Sequence, residues 1–502
     1  MGTDAAAGNN DKCASTGIEG LDEVLRGGLT RHRLYLIEGV PGSGKTTVAM
    51  QFLLEGAKRG EPVLYVTLSE TAEELQEVSG SHGWSLDGIT IRELIPSEGS
   101  LSGDTQYTMF HPSEMELTET TKTILADVEK SKPTRIVFDS LSELRLLAGN
   151  PLRYRRQILA MKQFFADKRC TVLLLDDLTS TDRDLQVQSI AHGVLRLEQV
   201  NPEYGAERRR LIVVKYRGVR FRGGYHDYVI QRGGLEVFPR LVASEHRAPI
   251  VMEKLGSGLA ELDSLLGGGL ERGTSTLIVG APGSGKSTLA AQFAVSAANK
   301  GQTAAMFIFD EGLNTLLTRS AGLGIDLKKH LDSGRVSVQQ VDPAELSPGE
   351  FAHAIRRAVD RQHASVVVID SLNGYLNAMP AERFLVIQLH EVLTYLGQAG
   401  VATLLIGAHQ GLIGGSMVAP VETSYLADAV ILLRYYELRG EIHQAISVVK
   451  KRGGAHERSI REFRMVDGQI TVGEPLRDFR GVLTGVPIFE PGQARSQEGN
   501  TG

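Results

Sequence analysis

Short apolar, β-branched runs alternate with stretches of helical pattern along most of the chain. In the first half the strand-like runs are LYLIEG, VLYVTLS, TRIVFDS and TVLLLDD; in the second they are TLIVGA, AMFIFDE, SVVVIDS and TLLIGAH. Strands alternating with helical segments predict a parallel α/β sheet in each half. Each half then closes on a hairpin, clearest in ILLRYYELRGEIHQAISVVKKRG, where two strand-like runs hinge at Arg439-Gly440. The expected fold class is α/β: two domains in tandem, each a mostly parallel sheet with an antiparallel C-terminal edge hairpin, flanked by helices.

The two halves repeat one another. TGIEGLDEVLRGGLTRHRLYLIEGVPGSGKTT, starting at Thr16, aligns with LGSGLAELDSLLGGGLERGTSTLIVGAPGSGKST, starting at Leu255. Asp22 matches Asp263, Gly28 matches Gly269 and Lys45 matches Lys286 at one constant offset. The acid-ended strands with Asp139 and Asp370 match next, and KYRG (from Lys215) matches KKRG (from Lys450) near each half's end. A repeat this long is a duplicated domain, not a solenoid unit. The boundary falls in LVASEHRAPIVMEK, so the first domain is placed at 14–245 and the second at 246–490. The polar, Gly-rich residues 491–502 read as a flexible tail.

Composition narrows the function classes. Of 502 residues, 42% are hydrophobic and 23% charged, ordinary for a globular chain and incompatible with a mainly disordered one. The net charge of −6 supplies no global field for DNA or an anionic membrane. Cys13 and Cys170 form neither a disulfide framework nor a CxxC pair, which favours a reducing compartment and argues against a structural zinc site. MGTDAAAGNNDK lacks a basic-then-apolar leader, and Ala6 stands where a myristoylation pattern wants Ser or Thr. With no apolar run long enough to span a bilayer, no membrane association is expected and the cytoplasm is the expected location.

The chemistry sits in two glycine-rich loops. Gly39, Val40, Pro41, Gly42, Ser43, Gly44, Lys45 and Thr46 fit GxxxxGK[ST], followed by Thr47; Gly280, Ala281, Pro282, Gly283, Ser284, Gly285, Lys286 and Ser287 do likewise, followed by Thr288. Glycines let backbone N–H groups turn inward around phosphates, and the helix that follows adds its positive end. Lys45 and Lys286 would reach the β- and γ-phosphates, and Thr46 and Ser287 would offer hydroxyls to Mg²⁺. Asp139 and Asp370 end apolar strands, are each followed by Ser-Leu, and would hold Mg²⁺ through water. The implied cofactors are ATP and Mg²⁺.

Taken together, both phosphate loops, both Asp-Ser-Leu strands, both Lys-x-Arg-Gly segments and DAVILLRYYELRGEIHQAISVVKKRG resemble the KaiC family, tandem RecA-type ATPases of the circadian clock and their bacterial relatives. The resemblance covers residues 14 to 490. It implies two RecA-like P-loop domains in a double-tiered homohexamer, nucleotide between neighbouring subunits, and a signalling or timing role, with a KaiB-like protein as an implied partner. It further implies a pair of carboxylates after the second strand of each domain. Here the pair reads Ser69-Glu70 and Asp310-Glu311. Glu70 and Glu311 match by type; Ser69 cannot act as a base near neutral pH, and Asp310 is one methylene short of Glu, a shift that can slow the chemistry. Lys215 with Arg217 and Lys450 with Arg452 match cations that reach a neighbour's γ-phosphate. The family phosphorylates itself on an adjacent Ser and Thr, and those positions hold Ser424 and Tyr425, with Thr423 a nearby hydroxyl. The resemblance therefore implies slow ATP hydrolysis and serine/threonine autokinase activity at one site. PLRDFRGVLTGVPIF resembles a pore-lining loop, and the tail after it is short.

Two other readings stay open on sequence alone. One is a RecA- or RadA-type DNA-dependent ATPase, suggested by Arg208-Arg209-Arg210 and by Arg217, Arg220 and Arg222. No aromatic-interleaved platform accompanies these, and nucleic acid is not an expected partner. The other is a nucleotide-gated scaffold with little turnover, suggested by Ser69.

Overall fold

The computed structural model describes residues 12–94, 112–178, 185–202, 205–246, 253–342, 344–377, 384–408, 426–466, 468–477, 479–482 and 488–489. Two compact units divide the chain, Met1–Arg240 and Leu241–Gly502. The turn Ala243–Glu245 packs within the second unit, where the Ala243 N–H donates to Glu391 Oε2 at 3.3 Å.

Each unit is built on one nine-stranded sheet. In the first its strands are β1 (Leu34–Gly39), β2 (Val63–Thr67), β3 (Ile89–Glu93), β4 (Arg135–Asp139), β5 (Thr171–Asp177), β6 (Gly193–Val200), β7 (Arg208–Tyr216), β8 (Tyr225–Gln231) and β9 (Gly234–Phe238). In the second they are β10 (Ser275–Gly280), β11 (Thr303–Ile308), β12 (Val336–Gln340), β13 (Ala364–Asp370), β14 (Ala402–Ala408), β15 (Ala429–Leu438), β16 (Glu441–Lys451), β17 (Arg461–Val466) and β18 (Gln469–Pro475). The strand orders are β9-β8-β7-β6-β1-β5-β4-β2-β3 and β18-β17-β16-β15-β10-β14-β13-β11-β12, so the two sheets share one topology.

The strands from β6 through β1 to β3 are mutually parallel, and β7, β8 and β9 continue antiparallel from β6. This is the mixed sheet expected from the sequence, with a longer antiparallel extension than one hairpin. The β15–β16 hairpin turns at Arg439 (φ 54°) and Gly440 (φ 81°), the two positive φ values of a tight two-residue connection. Edge strands β3 (ITIRE) and β12 (VSVQQ) are half exposed and lack the apolar signature of the inner strands.

Because side chains alternate across a strand, β1 feeds two cores. Tyr35 and Ile37 join the helix Lys45–Lys58 through Val48 and Phe52, whereas Leu34 and Leu36 join Ile158 and Phe165 of the helix Pro151–Asp167. In the second unit Ile278 and Leu277 divide the same way. The repeated Asp22 and Asp263 are structural. Asp22 accepts from the Thr16 N–H and hydroxyl at 2.9 and 2.7 Å, and Asp263 from the Ser257 N–H and hydroxyl at 2.7 and 2.8 Å.

One buried cation is peculiar to the first unit. Arg135, fully buried at the start of β4, donates to Glu61 at 2.6 Å and to the Ser15 and Phe52 carbonyls, with its guanidinium 4.7 Å from the Phe52 ring. Val366 holds the same register position in β13 and needs no partner. Burial works to raise the Glu61 pKa, but the bonds and charges of Arg135 and Arg31 outweigh it and lower it to about 2. Folded-state depression means this stabilisation is present above the unfolded carboxylate pKa and lost as pH falls from about 4.5 through about 2. Arg135→Met should therefore cost the first domain about 3 kcal/mol at pH 7. It should also flatten that domain's acid limb and leave the second domain's transition unchanged in domain-resolved denaturant unfolding.

Candidate functional site

Both glycine-rich loops leave the C-terminal end of the central strand and run into a 14-residue helix, Lys45–Lys58 or Lys286–Asn299. Parallel neighbours end at the same edge, so the crevice there collects the groups that the strand ends carry. Gly42 and Gly44 have φ of 81° and 89°, and Gly283 and Gly285 have 78° and 95°, turning the loop back over the helix N-terminus. A Cβ on Gly39 would lie 2.5 Å from Ser43 Oγ and 2.8 Å from the Leu197 carbonyl; on Gly280, 2.5 Å from Ser284 Oγ and 2.7 Å from the Leu433 carbonyl. The antiparallel extension supports the loop from below: Tyr228 of β8 donates its hydroxyl to the Ser43 carbonyl at 2.6 Å. Thr47 and Thr288 are buried in the first helical turn.

The lysines lie in these cradles. Lys45 Nζ donates to the Gly39 and Val40 carbonyls at 3.0 Å each and pairs with Asp177 at 2.6 Å. Lys286 Nζ donates to the Ala281 carbonyl at 2.8 Å, and burial pushes its pKa down against the pull of Asp370. Asp177, at the end of β5 beside Gly39, is a site residue that sequence reasoning missed; its register equivalent in β14 is Ala408.

Asp139 and Asp370 stand where the sequence put them, at strand ends facing the loop helix. Thr46 Oγ1 donates to Asp139 Oδ2 at 3.2 Å, and Tyr65 of β2 donates to the same oxygen at 2.6 Å. The Ser287 side chain lies beside Asp370 and works to lower its pKa. Burial raises both carboxyl pKa values, opposed at Asp139 by the bonds from Tyr65 and Thr46 and at Asp370 by Ser287 and Arg319. Two hydroxyl–carboxylate pairs beside the two lysines form a donor set of all-oxygen chemistry, which fits Mg²⁺. The orphaned buried hydroxyls of Ser43 and Ser284 and the glycines that leave no room for a Cβ fit phosphates in the loop.

The candidate bases differ between units. Glu70 precedes the helix Ala72–His82, yet Thr71 and Glu74 form that helix's capping box, so Glu70 is not its cap. Its Oε2 is buried without a hydrogen-bond partner, and burial, followed by the charges of Asp139, Glu74 and Asp177, raises its pKa. In the second unit Asp310 accepts from Ser371 Oγ, and Glu311 pairs with Arg319 at 2.9 Å. Arg319 lies on the helix Leu313–Gly322, and no motif singled it out.

Lys215, Arg217, Lys450 and Arg452 are not brought to the phosphate loop of their own unit. Lys215 pairs across with Val194 of β6, which pairs with Leu36 of β1; Lys450 pairs with Val430, which pairs with Leu277. Each lysine is thus three residues back and two strands across from Gly39 or Gly280, about 14 Å in the plane of the sheet. A bulge precedes the lysine in both units, a device that re-aims side chains. Lys215 Nζ donates to the Gln188 and Ala191 carbonyls at 2.6 and 2.8 Å, and Arg217 to the Ser189 carbonyl at 2.7 Å. Lys450 donates to the Ala427 carbonyl at 2.8 Å, and Arg452 lies 3.4 Å from Asp428. Ser424, Tyr425, Thr423 and the tail 491–502 lie outside the described residues.

Three arginines of the basic clusters that suggested DNA are held in ion pairs. Arg209 pairs with Glu207, Arg210 pairs with Glu198 at 3.0 Å, and Arg222 pairs with Glu23 at 2.8 Å. Among the described residues no helix is long and apolar enough to cross a membrane.

Fold and site define a tandem RecA-like P-loop protein. The chain matches the family described as "ATPase: KaiC" over residues 14–242 and again over 255–477, and it belongs to that family. It is 27% identical over 484 residues to the "Circadian clock protein KaiC3" of Synechocystis sp., covering 94% of each chain. It is 26% identical over 481 residues to the "Circadian clock oscillator protein KaiC" of Picosynechococcus sp., covering 94% of this chain and 91% of that one. The protein of the same name from Prochlorococcus marinus is 27% identical over 482 residues, covering 94% and 95%.

Gly280→Ala tests the cradle. With backbone oxygen and a buried hydroxyl both under 3 Å from the new methyl, the loop must shift. Nucleotide affinity of the second site, titrated in a Lys45→Ala background, should fall at least tenfold while far-UV circular dichroism is unchanged.

Proposed function

We propose that the chain binds ATP with Mg²⁺ at both phosphate loops and hydrolyses it slowly in a double-ring homohexamer, acting as a signalling or timing ATPase. The observation that carries this reading is the place of the four cations. Two Lys-x-Arg pairs, each behind the same bulge, lie about 14 Å from the loop of their own unit, so a γ-phosphate they neutralise belongs to a neighbouring copy. In this reading Thr46 with Asp139, and Ser287 with Asp370, hold Mg²⁺, which offsets phosphate charge as the terminal phosphoryl group leaves. Glu70 in the first domain, and Asp310 or Glu311 in the second, orient and deprotonate the attacking water. Glu70 is the better placed, because its free buried oxygen needs no partner to be broken before it acts.

Nucleotide counting tests the two sites: two per chain in the wild type, and one in either Lys45→Ala or Lys286→Ala. Complementation tests the action in trans. Lys45→Ala/Lys286→Ala and Arg217→Ala/Arg452→Ala should each be inactive alone and regain phosphate release when co-assembled. Failure to recover in mixed oligomers of verified composition would sink the trans assignment.

Autophosphorylation is proposed on Ser424 alone, by transfer from the second-domain nucleotide. A tyrosine oxygen lies several ångströms further from its backbone than a serine oxygen and would overshoot in-line geometry at Tyr425. Phosphopeptide mapping after long incubation with Mg²⁺ and ATP should find phosphate on Ser424, abolished by Lys286→Ala. Abundant ADP with unmodified Ser424 and Thr423 would leave a plain ATPase. A second reading, a nucleotide-gated scaffold with little turnover, is favoured by Ser69 and by the Glu311–Arg319 pair, which occupies the second-domain base.

A further inference from the structure

At the end of the first sheet opposite the phosphate loop lies a cavity of about 190 Å³, lined half by apolar side chains such as Leu34 and Phe165 and half by His32, Arg33, Lys162 and His192. Three elements bring these side chains together. His32 and Arg33 lead into β1, His192 immediately precedes β6, and Lys162 projects from the helix Pro151–Asp167. Lys215 and Arg217 stand beside them. Every charge that acts on Lys162 or on Lys215 is positive, and so are the four that act on His192: Arg33, Arg217, Lys162 and Lys215. The carbonyls that end the helix Leu185–Ile190 and the turn after it accept from Lys162, Lys215 and Arg217. A helix C-terminus offsets only about half an elementary charge. His192 also packs edge-on against Tyr35 and Tyr216, each 5.8 Å away, and its Nε2 is buried with no hydrogen-bond partner.

The second unit serves as an internal control. Its equivalents of His32, Arg33, Lys162 and His192 are Gly273, Thr274, Leu393 and Asp428. There Asp428 accepts from the Ser275 N–H at 3.0 Å and lies 3.4 Å from Arg452. The same Lys-x-Arg pair on the same fold is thus balanced by an acid in one unit and surrounded by further cations in the other. The shared fold does not require the cationic cavity, and its uncompensated charge calls for an anion.

We propose that this cavity binds a small phosphate-type dianion, held by His192, Lys162 and Arg33. Water occupies about 30 Å³ per molecule, so the volume admits such an ion with a few waters. The dianion would supply the missing countercharge and an acceptor for His192. Burial and the four cations hold the His192 pKa below its ordinary value, and a bound dianion would favour the imidazolium. Two sources share this chemistry: inorganic phosphate, and the terminal phosphate of a nucleotide held by a neighbouring copy.

Equilibrium dialysis of labelled inorganic phosphate against the full-length, nucleotide-free Lys45→Ala/Lys286→Ala protein is the first arm. One phosphate per chain is expected, bound at least tenfold more weakly after either Lys162→Leu or His192→Asp. The second arm measures ATP affinity of the first site in a Lys286→Ala background. A tenfold loss on Lys162→Leu there, without phosphate binding in the first arm, identifies the neighbour's terminal phosphate as the ion. The first arm involves neither hydrolysis nor assembly, so its outcome is independent of the ATPase reading. If Lys162→Leu and His192→Asp change neither phosphate binding nor ATP affinity, the cavity is not an anion site.

Discussion

Each domain depends on where its central strand stops. β1 and β10 end in glycines whose missing Cβ is a steric necessity, since a neighbouring strand's carbonyl and the loop's own serine occupy that space. Because the strands around them run parallel, every chain segment that leaves the sheet C-terminally leaves at this same edge. Asp139 and Asp177 end two strands, Glu70 follows the end of a third, and the three meet beside one lysine for that reason. An antiparallel sheet of the same composition would scatter them over both edges.

The same geometry explains why the Lys-x-Arg pairs cannot serve their own loop. They sit on the first antiparallel strand, so the end of that strand points to the opposite edge. The bulge before each lysine adds a local twist without changing that direction. The arrangement separates the cations from the phosphate loop within one chain, and it does so twice.

Much of this was legible in the sequence, and the rest was not for definite reasons. The glycine-rich loops, Asp139 and Asp370 announce themselves because GxxxxGK[ST], and an acid followed by Ser-Leu at the end of an apolar run, each lie on one short segment. Inner strands read as apolar runs because both faces are buried. Edge strands β3 and β12, and the β8 strand that supports the first loop, read poorly because half their side chains face solvent. Tyr65, Asp177 and Arg319 carried no signal: each reaches the site through strand register or a helix face, from a position whose counterpart in the other unit is Met306, Ala408 or Val78. Repetition reveals what the two halves share and hides what each has added.

What each half has added is mostly charge in places the other fills with apolar or neutral groups. The first unit buries Arg135 where the second has Val366, ties Lys45 to Asp177 where the second has Ala408, and surrounds Lys215 with cations where Lys450 faces Asp428. The second unit in turn clamps Glu311 with Arg319 and leaves the Glu70 position of the first unclamped. Arg135 serves the core of the first unit, but buried ionic groups in general cost desolvation and stabilise little in net terms, so the charges gathered around one phosphate loop and one cation pair are not a device for folding. They make two sites of one ancestry electrostatically different: Glu70 has its pKa raised by burial and a buried oxygen without a hydrogen-bond partner, whereas Glu311 is held in an ion pair. Divergence of this kind changes the electrostatics of two sites of one ancestry without any change in fold.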